Sequence, residues 1–318
     1  MSDAEMGKRV MITGIGGFVG PYLAGEMLRN GYEVCGTYFA EKPSIEGIPD
    51  SMLRAADITK KEEIRSALEE FQPDYVVHLA AMSDAGESFR NRELYNKVNV
   101  EGTRNIYEAL SEAGLKAKVL LAGSSHEYGI PLKIPITEDH PLNPNNPYGE
   151  SKVEAERVAR QHPQIKTVFA RSFNHTGPGQ PPNFVLPSFA HQIAMIESGK
   201  QEPVIRVGNI DAKRDFLDVR DVVRAYRLLL QKGREGEAYN VCSGESHRIS
   251  DLLVEMIGMS RADIKIMRDE EKLRPVDIPE LRGDNSKLKG ETGWQQEISI
   301  DETMRDLLDY WRKKVSEE

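Results

Sequence analysis

Tyr148 and Lys152 form the pair in this sequence best placed to move a proton. Four residues apart, they share one face of a helix that opens after a loop rich in proline and asparagine. A free phenol ionises near pH 10, which is too high for easy proton transfer at neutrality. An ammonium one helical turn away favours the phenolate and is expected to lower that value. Ser124, at the end of a preceding apolar segment, could hydrogen-bond the reacting oxygen and turn it toward Tyr148. The chemistry of such a set is proton transfer at a carbonyl or an alcohol. On its own the Tyr-x-x-x-Lys spacing also occurs on solvated helices, so its meaning depends on what positions it.

What positions it begins at the N-terminus. Val10, Met11 and Ile12 form a short apolar run, followed by Thr13-Gly14-x-x-Gly17-x-x-Gly20 and a segment with apolar residues at helical spacing. This reads as strand, tight turn and helix. Gly14 supplies backbone angles closed to other residues, Gly17 lets the backbone approach a pyrophosphate, and Gly20 lets the helix pack on the strand. The helix N-terminus then offers N–H groups and partial positive charge to phosphates. A plain strand-to-helix turn is the alternative; position and flanking elements favour a dinucleotide site.

The following chain alternates strand and helix. Strands are expected at 33–38, 52–58, 73–81, 118–123 and 164–170, with helices at 60–71, 93–113 and 148–161. That order implies a doubly wound parallel α/β sheet of Rossmann type, with ligands at the carboxyl ends of its strands, where Gly14, Ala80 and Ser124 fall. The second strand ends in Thr37-Tyr38-Phe39 with no carboxylate before Glu41. An acid there would repel a 2′-phosphate, so NADP(H) is preferred and NAD(H) admitted; Lys42 is the nearest cation. Asp57 suits either an adenine amino group or the cap of the next helix. His78 reads as a packed strand residue, and Asn99 as a polar group on an otherwise apolar helix face.

After residue 176 the regular alternation stops. Helices are expected at 189–198, 222–230, 250–257 and 300–311, and short strands at 204–208 and 238–242. No repeat or linker separates the halves. The expected organisation is a nucleotide-binding domain at 1–172 with about 212–245, and a smaller interwoven substrate lobe at about 173–211 and 246–318.

The bulk composition narrows the partners. A net charge of −9 argues against general affinity for nucleic acid or anionic lipid. No apolar run is long enough to span a bilayer, and the first residues lack an apolar signal core, which points to a cytoplasmic chain. Cys35 and Cys242, the two cysteines, are expected reduced and buried. No cysteine–histidine cluster has metal-ligand spacing.

Together the glycine turn, Asp57-Ile58, His78-Leu79-Ala80-Ala81, Asn99-x-x-Gly102-Thr103, Ser124 and Tyr148-x-x-x-Lys152 resemble the extended short-chain dehydrogenase/reductase family. The resemblance covers nearly the whole chain and implies a Rossmann domain with a small C-terminal substrate lobe. It implies Ser124, Tyr148 and Lys152 as the catalytic set. For the cofactor it implies Gly14, Gly17, Phe18, Val19, Gly20, Asp57, Ile58, Leu79, Ala80, Ala81 and Asn99, joined by Tyr148 and Lys152. The lysine would also hold the nicotinamide ribose.

Within that family, the segment from Arg171 to Gln180, the run Arg214-Asp215-Phe216-Leu217-Asp218, and Leu273-Arg274-Pro275 look like those of GDP-4-keto-6-deoxymannose reductases. The resemblance implies a GDP-linked deoxysugar bound by Ser83, Ser125, His126, Asn174, Val185, Asn209, Arg214, Arg274 and Asp277. Guanidinium groups suit a diphosphate, though a surface ion pair is the alternative for each arginine. Related 4,6-dehydratases carry a glutamate two residues after the catalytic Ser or Thr. Here that position is His126, which favours simple reduction while leaving open an acid–base role for the imidazole. Dehydratase, epimerase and a catalytically silent cofactor-sensing protein are the alternatives. The family often dimerises through the helices bearing Asn99 and Tyr148, so a homodimer is expected.

Overall fold

A computed structural model describes residues 6–272 and 278–317. The elements in chain order are β1 (Arg9–Thr13), α1 (Val19–Arg29), β2 (Glu33–Tyr38), β3 (Leu53–Ala55), α2 (Lys61–Phe71), β4 (Tyr75–His78), α3 (Arg92–Tyr95) and α4 (Gly102–Glu112). They continue with β5 (Lys118–Ser124), α5 (Pro147–Arg160), β6 (Thr167–Ser172), β7 (Asn174–Thr176), α6 (Val185–Glu197), β8 (Val204–Val207), β9 (Lys213–Arg214) and β10 (Phe216–Asp218). The last are α7 (Val219–Lys232), β11 (Ala238–Val241), β12 (His247–Arg248), α8 (Ile249–Gly258), β13 (Lys265–Arg268), β14 (Glu280–Leu281), α9 (Ser286–Thr292) and α10 (Ile300–Glu317).

Seven parallel strands form the central sheet in the order β11-β6-β5-β4-β1-β2-β3. The strand order reverses between β1 and β4, which are paired in register from Val10–Tyr75 to Thr13–His78. A crevice therefore opens beyond their carboxyl ends. Side chains alternate across the sheet as the two-residue repeat requires. Val10, Ile12, Val34, Val77 and Leu120 pack beneath α1 and α7, while Met11, Cys35, Val76, Val119 and Leu121 pack beneath α2 and α4. Both cysteines are free and buried.

A separate apolar cluster joins α6, β8, α8 and α10, centred on Phe189, Ile193, Leu253, Leu307 and Trp311. This C-terminal lobe is woven with the sheet. β7 pairs β10 across 42 residues of sequence, from Asn174 to Phe216. The lobe expected at 246–318 is not continuous: Leu288 of α9 and Trp294 pack into the sheet core, with the Trp294 indole donating to the Asp221 carbonyl at 3.0 Å.

The helix expected at 93–113 is one rod of three parts, with a π-helical stretch, Asn96–Glu101, between α3 and α4. β3 is shorter than expected, ending at Ala55, so Asp57 and Ile58 lie in the turn before α2. The paired short strands β7–β10 and β12–β9–β14, and the helix α9, carry too few residues to show a period and were not expected. Among the described residues no helix is long and apolar enough to cross a membrane.

Candidate active site

The glycine turn is shaped by contacts that exclude side chains. Gly14 has φ 70°, and a Cβ there would lie 2.9 Å from the Ala80 backbone. A Cβ at Gly20 would run into the Ile15 carbonyl, so α1 leaves the strand at the closest approach a backbone allows. No side chain caps the N-terminus of α1, whose cap position is Phe18. The helix end thus presents a partial positive charge with no acidic residue in its own first turn. Phe18 stacks on His175 with ring centroids 6.3 Å apart, and the Tyr22 hydroxyl donates to the Pro178 carbonyl at 2.7 Å. The turn is thereby tied to the segment that follows β6.

At the next strand, His78 is locked between two hydroxyls. Thr103 Oγ1 donates to the Asn99 carbonyl at 2.6 Å, so it accepts from His78 Nε2 at 3.1 Å. His78 Nδ1 then accepts from Thr13 Oγ1 at 2.8 Å, and Thr13 in turn accepts from the Ala80 N–H at 3.3 Å. Burial, followed by the Lys152 charge, holds the imidazole down at about 3, so it is neutral. It is a packed residue, as its strand context implied, and it braces Leu79-Ala80-Ala81. Asn99 does related work from the π-helical stretch. Its Oδ1 accepts from Met82 N at 2.8 Å, while Nδ2 donates to the Met82 carbonyl at 3.0 Å and to Ser151 Oγ at 2.9 Å. Both amide hydrogens are committed inside the protein, and these bonds hold the loop after β4 against α5. Asp57 likewise serves its turn, its Oδ1 accepting from Thr59 N at 2.9 Å and Thr59 Oγ1 at 2.8 Å.

Ser124, Tyr148 and Lys152 converge at the end of β5. Ser124 closes the strand, and α5 begins at Pro147 under the cap of Asn146, whose Oδ1 accepts from Gly149 N at 2.9 Å. Tyr148 is buried in the wall formed with Tyr95 and His126, both edge-on to its ring at 6.3 and 5.5 Å. Burial pushes the phenol up to about 12, opposed by a hydrogen bond with Ser124. Lys152 Nζ lies 5.9 Å from the Tyr148 ring centroid and donates to the Ala122 carbonyl at 2.8 Å. Burial brings this amine down to about 8 against the pull of Glu127. The expectation that the ammonium would depress the phenol is corrected here: desolvation, joined by the charge of Glu127, raises it, and Tyr148 is a protonated phenol.

Glu127 is held between the Ser124 backbone and Arg171. It is fully buried, accepts from Ser124 N at 2.6 Å, and sits 3.6 Å from Arg171 Nε. Arg171 also makes two bonds to Glu156, at 3.1 and 2.8 Å. Burial raises the Glu127 carboxyl to about 8, with Glu156 adding to the effect and Arg171 opposing it. This buried pairing stitches the turn after β5 to α5 and β6.

The residues expected at the sugar nucleotide lie on several elements. Ser125 is buried beside Ser124 and Ser83 is exposed on the loop after β4. Asn183 donates to Asp84 at 3.0 Å, which draws the loop of Ser83 toward the start of α6, where Val185 is half-buried. Asn174 is half-buried on β7. Arg214 is fixed by backbone carbonyls, its Nη1 donating to Lys213 at 2.8 Å and to Ile278 at 2.6 Å. Asn209 is exposed and accepts from Asp211 N at 3.0 Å. Arg274 and Asp277 lie outside the described residues. Lys42, at the ribose end, pairs with Asp50 at 2.8 Å. Sequence reasoning missed Asp84, Tyr95 and Asn146; only Asn146 carried a local signal, an Asn before a proline at a helix start.

A seven-stranded parallel sheet with an uncapped helix at a glycine turn, beside a buried Ser–Tyr–Lys set, defines a short-chain dehydrogenase/reductase of the extended, nucleotide-sugar type. The profile of the GDP-mannose 4,6 dehydratase family matches residues 11–307, and the chain belongs to that family. It is 34% identical over 318 residues to the GDP-6-deoxy-D-mannose reductase of Pseudomonas aeruginosa, covering 98% of this chain and 100% of that one. It is 29% identical to the human GDP-mannose 4,6 dehydratase, over 96% of this chain and 92% of the other. The structure of RMD from Pseudomonas aeruginosa complexed with NADPH superposes with a TM-score of 0.84 at 33% identity, over 96% of this chain and 99% of that one. The Thermus thermophilus UDP-glucose 4-epimerase complexed with NAD gives 0.84 at 27% identity, with the same two coverages.

Proposed function

We propose that this chain reduces the C4 ketone of GDP-4-keto-6-deoxymannose to give GDP-6-deoxymannose (GDP-rhamnose), using NADP(H) in preference to NAD(H). The observation that carries the reading is the placement of Glu127. The one carboxylate on the turn that carries Ser124 is buried against Arg171, so the pocket beside Tyr148 has no acid from that turn for eliminating water across C5 and C6. A protonated Tyr148 is the form that a reductase needs, because it must give a proton to the C4 oxygen.

The residues present fit a dinucleotide. Gly14, Gly17, Phe18, Val19 and Gly20 form a tight turn, in which a Cβ at Gly14 or Gly20 would strike backbone, before an uncapped helix end, and Leu79, Ala80 and Ala81 offer the floor beside it. Bound NADPH supplies the hydride. Ser124 holds the ketone oxygen toward Tyr148, Tyr148 donates the proton, and Lys152 restores the charge balance and anchors the ribose. The sugar nucleotide is received through Asn174, Arg214 and Arg274. Two copies pair through the helices around Asn99 and Tyr148, where Leu94 is 44% exposed.

The test is to supply the keto-sugar nucleotide with NADPH and follow the loss of its absorbance. Tyr148→Phe should lower turnover by about 10²–10⁴-fold while leaving NADPH affinity intact. Dehydration of GDP-mannose in place of NADPH oxidation would move the activity to the dehydratase.

A further inference from the structure

Ser124 is held at its backbone by a carboxyl group that the chemistry above leaves unused. Glu127 Oε1 accepts from Ser124 N at 2.6 Å, in a reciprocal cap at the end of β5. Gly123 makes room for it, since a Cβ there would lie 2.5 Å from that oxygen. The other oxygen is the anomaly. Glu127 is fully buried, and among the described residues no donor reaches Oε2. Arg171 Nε has a single hydrogen and gives it to Glu156 at 3.1 Å, so its 3.6 Å approach to Glu127 is no hydrogen bond. Arg171 Nη2 serves Glu156 at 2.8 Å, and Nη1 serves the Tyr128 hydroxyl and the Glu138 carbonyl, each at 3.2 Å. Arg160 gives Glu156 two more hydrogens, at 2.7 and 3.1 Å. Lys152 donates to the Ala122 carbonyl. What Glu127 does meet, within hydrogen-bonding reach, is the carboxyl of Glu156.

Ionised carboxylates only accept, so such a contact stands only with a hydrogen between the two groups. Glu156 is the partner that stays ionised: burial alone would raise its carboxyl, and the hydrogen bonds of the arginines carry it below its ordinary value. We infer that Glu127 is a neutral carboxylic acid that donates to Glu156, and that it is the positioning residue for Ser124. Its link to catalysis rests on the reading that Ser124 orients the ketone oxygen. One carboxyl group thus bonds the Ser124 N–H through one oxygen and α5 through the other, which fixes the end of β5 against the helix of Tyr148. The remaining titratable groups around it are Lys152 and Tyr148 on α5, Tyr128 on its own turn and Glu138 in the loop before α5. Of these only Lys152 would favour the anion. An ionised Glu127 would stand beside Glu156 with no donor at Oε2.

Glu127→Gln mimics the neutral acid: its carbonyl can accept from Ser124 and its amide can donate to Glu156. Infrared difference spectra, native minus Glu127→Gln, should show near neutrality the carbonyl stretch of a protonated carboxyl group, fading as pH rises through about 8, where burial places this group. The folded chain binds that proton more tightly than the unfolded one, so between an ordinary carboxylate value near 4.5 and about 8 native stability falls with pH. In urea denaturation the unfolding constant of the native protein relative to Glu127→Gln should rise about tenfold per pH unit across that window and level off above it. In the reductase assay Glu127→Leu, which loses the acceptor, should lower kcat about tenfold with KM within about threefold, and Glu127→Gln should recover kcat to within about threefold of native. A missing carboxyl band, a stability difference independent of pH, an unaltered kcat in Glu127→Leu, or Glu127→Gln as impaired as Glu127→Leu would each overturn the inference. If the native protein reduces no keto sugar, the functional reading falls, and the infrared and denaturation results decide whether Glu127 is neutral.

Discussion

Lys152 occupies a place that water would otherwise make comfortable for a cation, and the protein offers it one carbonyl instead. Its amine is brought down to about 8, from an ordinary value near 10.5, by burial. Between those values the unfolded chain binds the proton more fully than the folded one, so folding stability rises with pH across that window. Below about 8 the buried charge carries its full cost. The native protein without cofactor should therefore gain stability relative to Lys152→Met as pH rises from 8 to 10.5, measured by urea denaturation of both. A constant difference would show that the amine is not desolvated. At this scale the shared helix face of Tyr148 and Lys152 was legible, because it follows from their spacing on α5. The roles of Asn99 and Arg214 were not. Asn99 finds Met82 and Ser151 at sequence separations of 17 and 52, and Arg214 finds the Ile278 carbonyl at 64, and neither partner leaves a local pattern.

The glycine turn is where element geometry and ligand binding coincide. Gly20 sits at the contact between α1 and the end of β1, and a methyl group there meets the Ile15 carbonyl, which cannot move without distorting the strand exit. Gly20→Ala should cost about 3 kcal/mol of stability through overpacking and should weaken NADPH binding in parallel, read by thermal melts with and without cofactor. Unchanged melting would mean that α1 can shift freely. The long elements of the sheet were readable because each carries a full period of apolar residues between turn residues. The two-residue strands β9, β12 and β14 hold no period at all; long-range backbone pairing alone defines them. The π-helical stretch was hidden for a related reason. Its apolar spacing passes for an ordinary helix, and the difference lies in hydrogen bonding around Asn99.

Across the molecule, the chain's two tryptophans report on different cores. Trp294 lies in the sheet core and Trp311 in the cluster of α6, α8 and α10. Leu307 is fully buried in the second cluster, so Leu307→Ala should cost about 2–5 kcal/mol. Because the chain returns from lobe to sheet at α9 before leaving again for α10, the two cores should unfold together. Fluorescence melts of Trp294→Phe and Trp311→Phe should share one midpoint, and Leu307→Ala should shift both equally; separate midpoints would show independent lobes. The sequence left this interleaving half visible, since the absence of a linker implied it while α9 was too short to locate. The same weave governs how such proteins can be recombined. A graft intended to exchange the sugar-facing half for that of a relative needs a junction at every passage between the cores, because a single crossover would pair halves of hydrophobic interiors that never grew together.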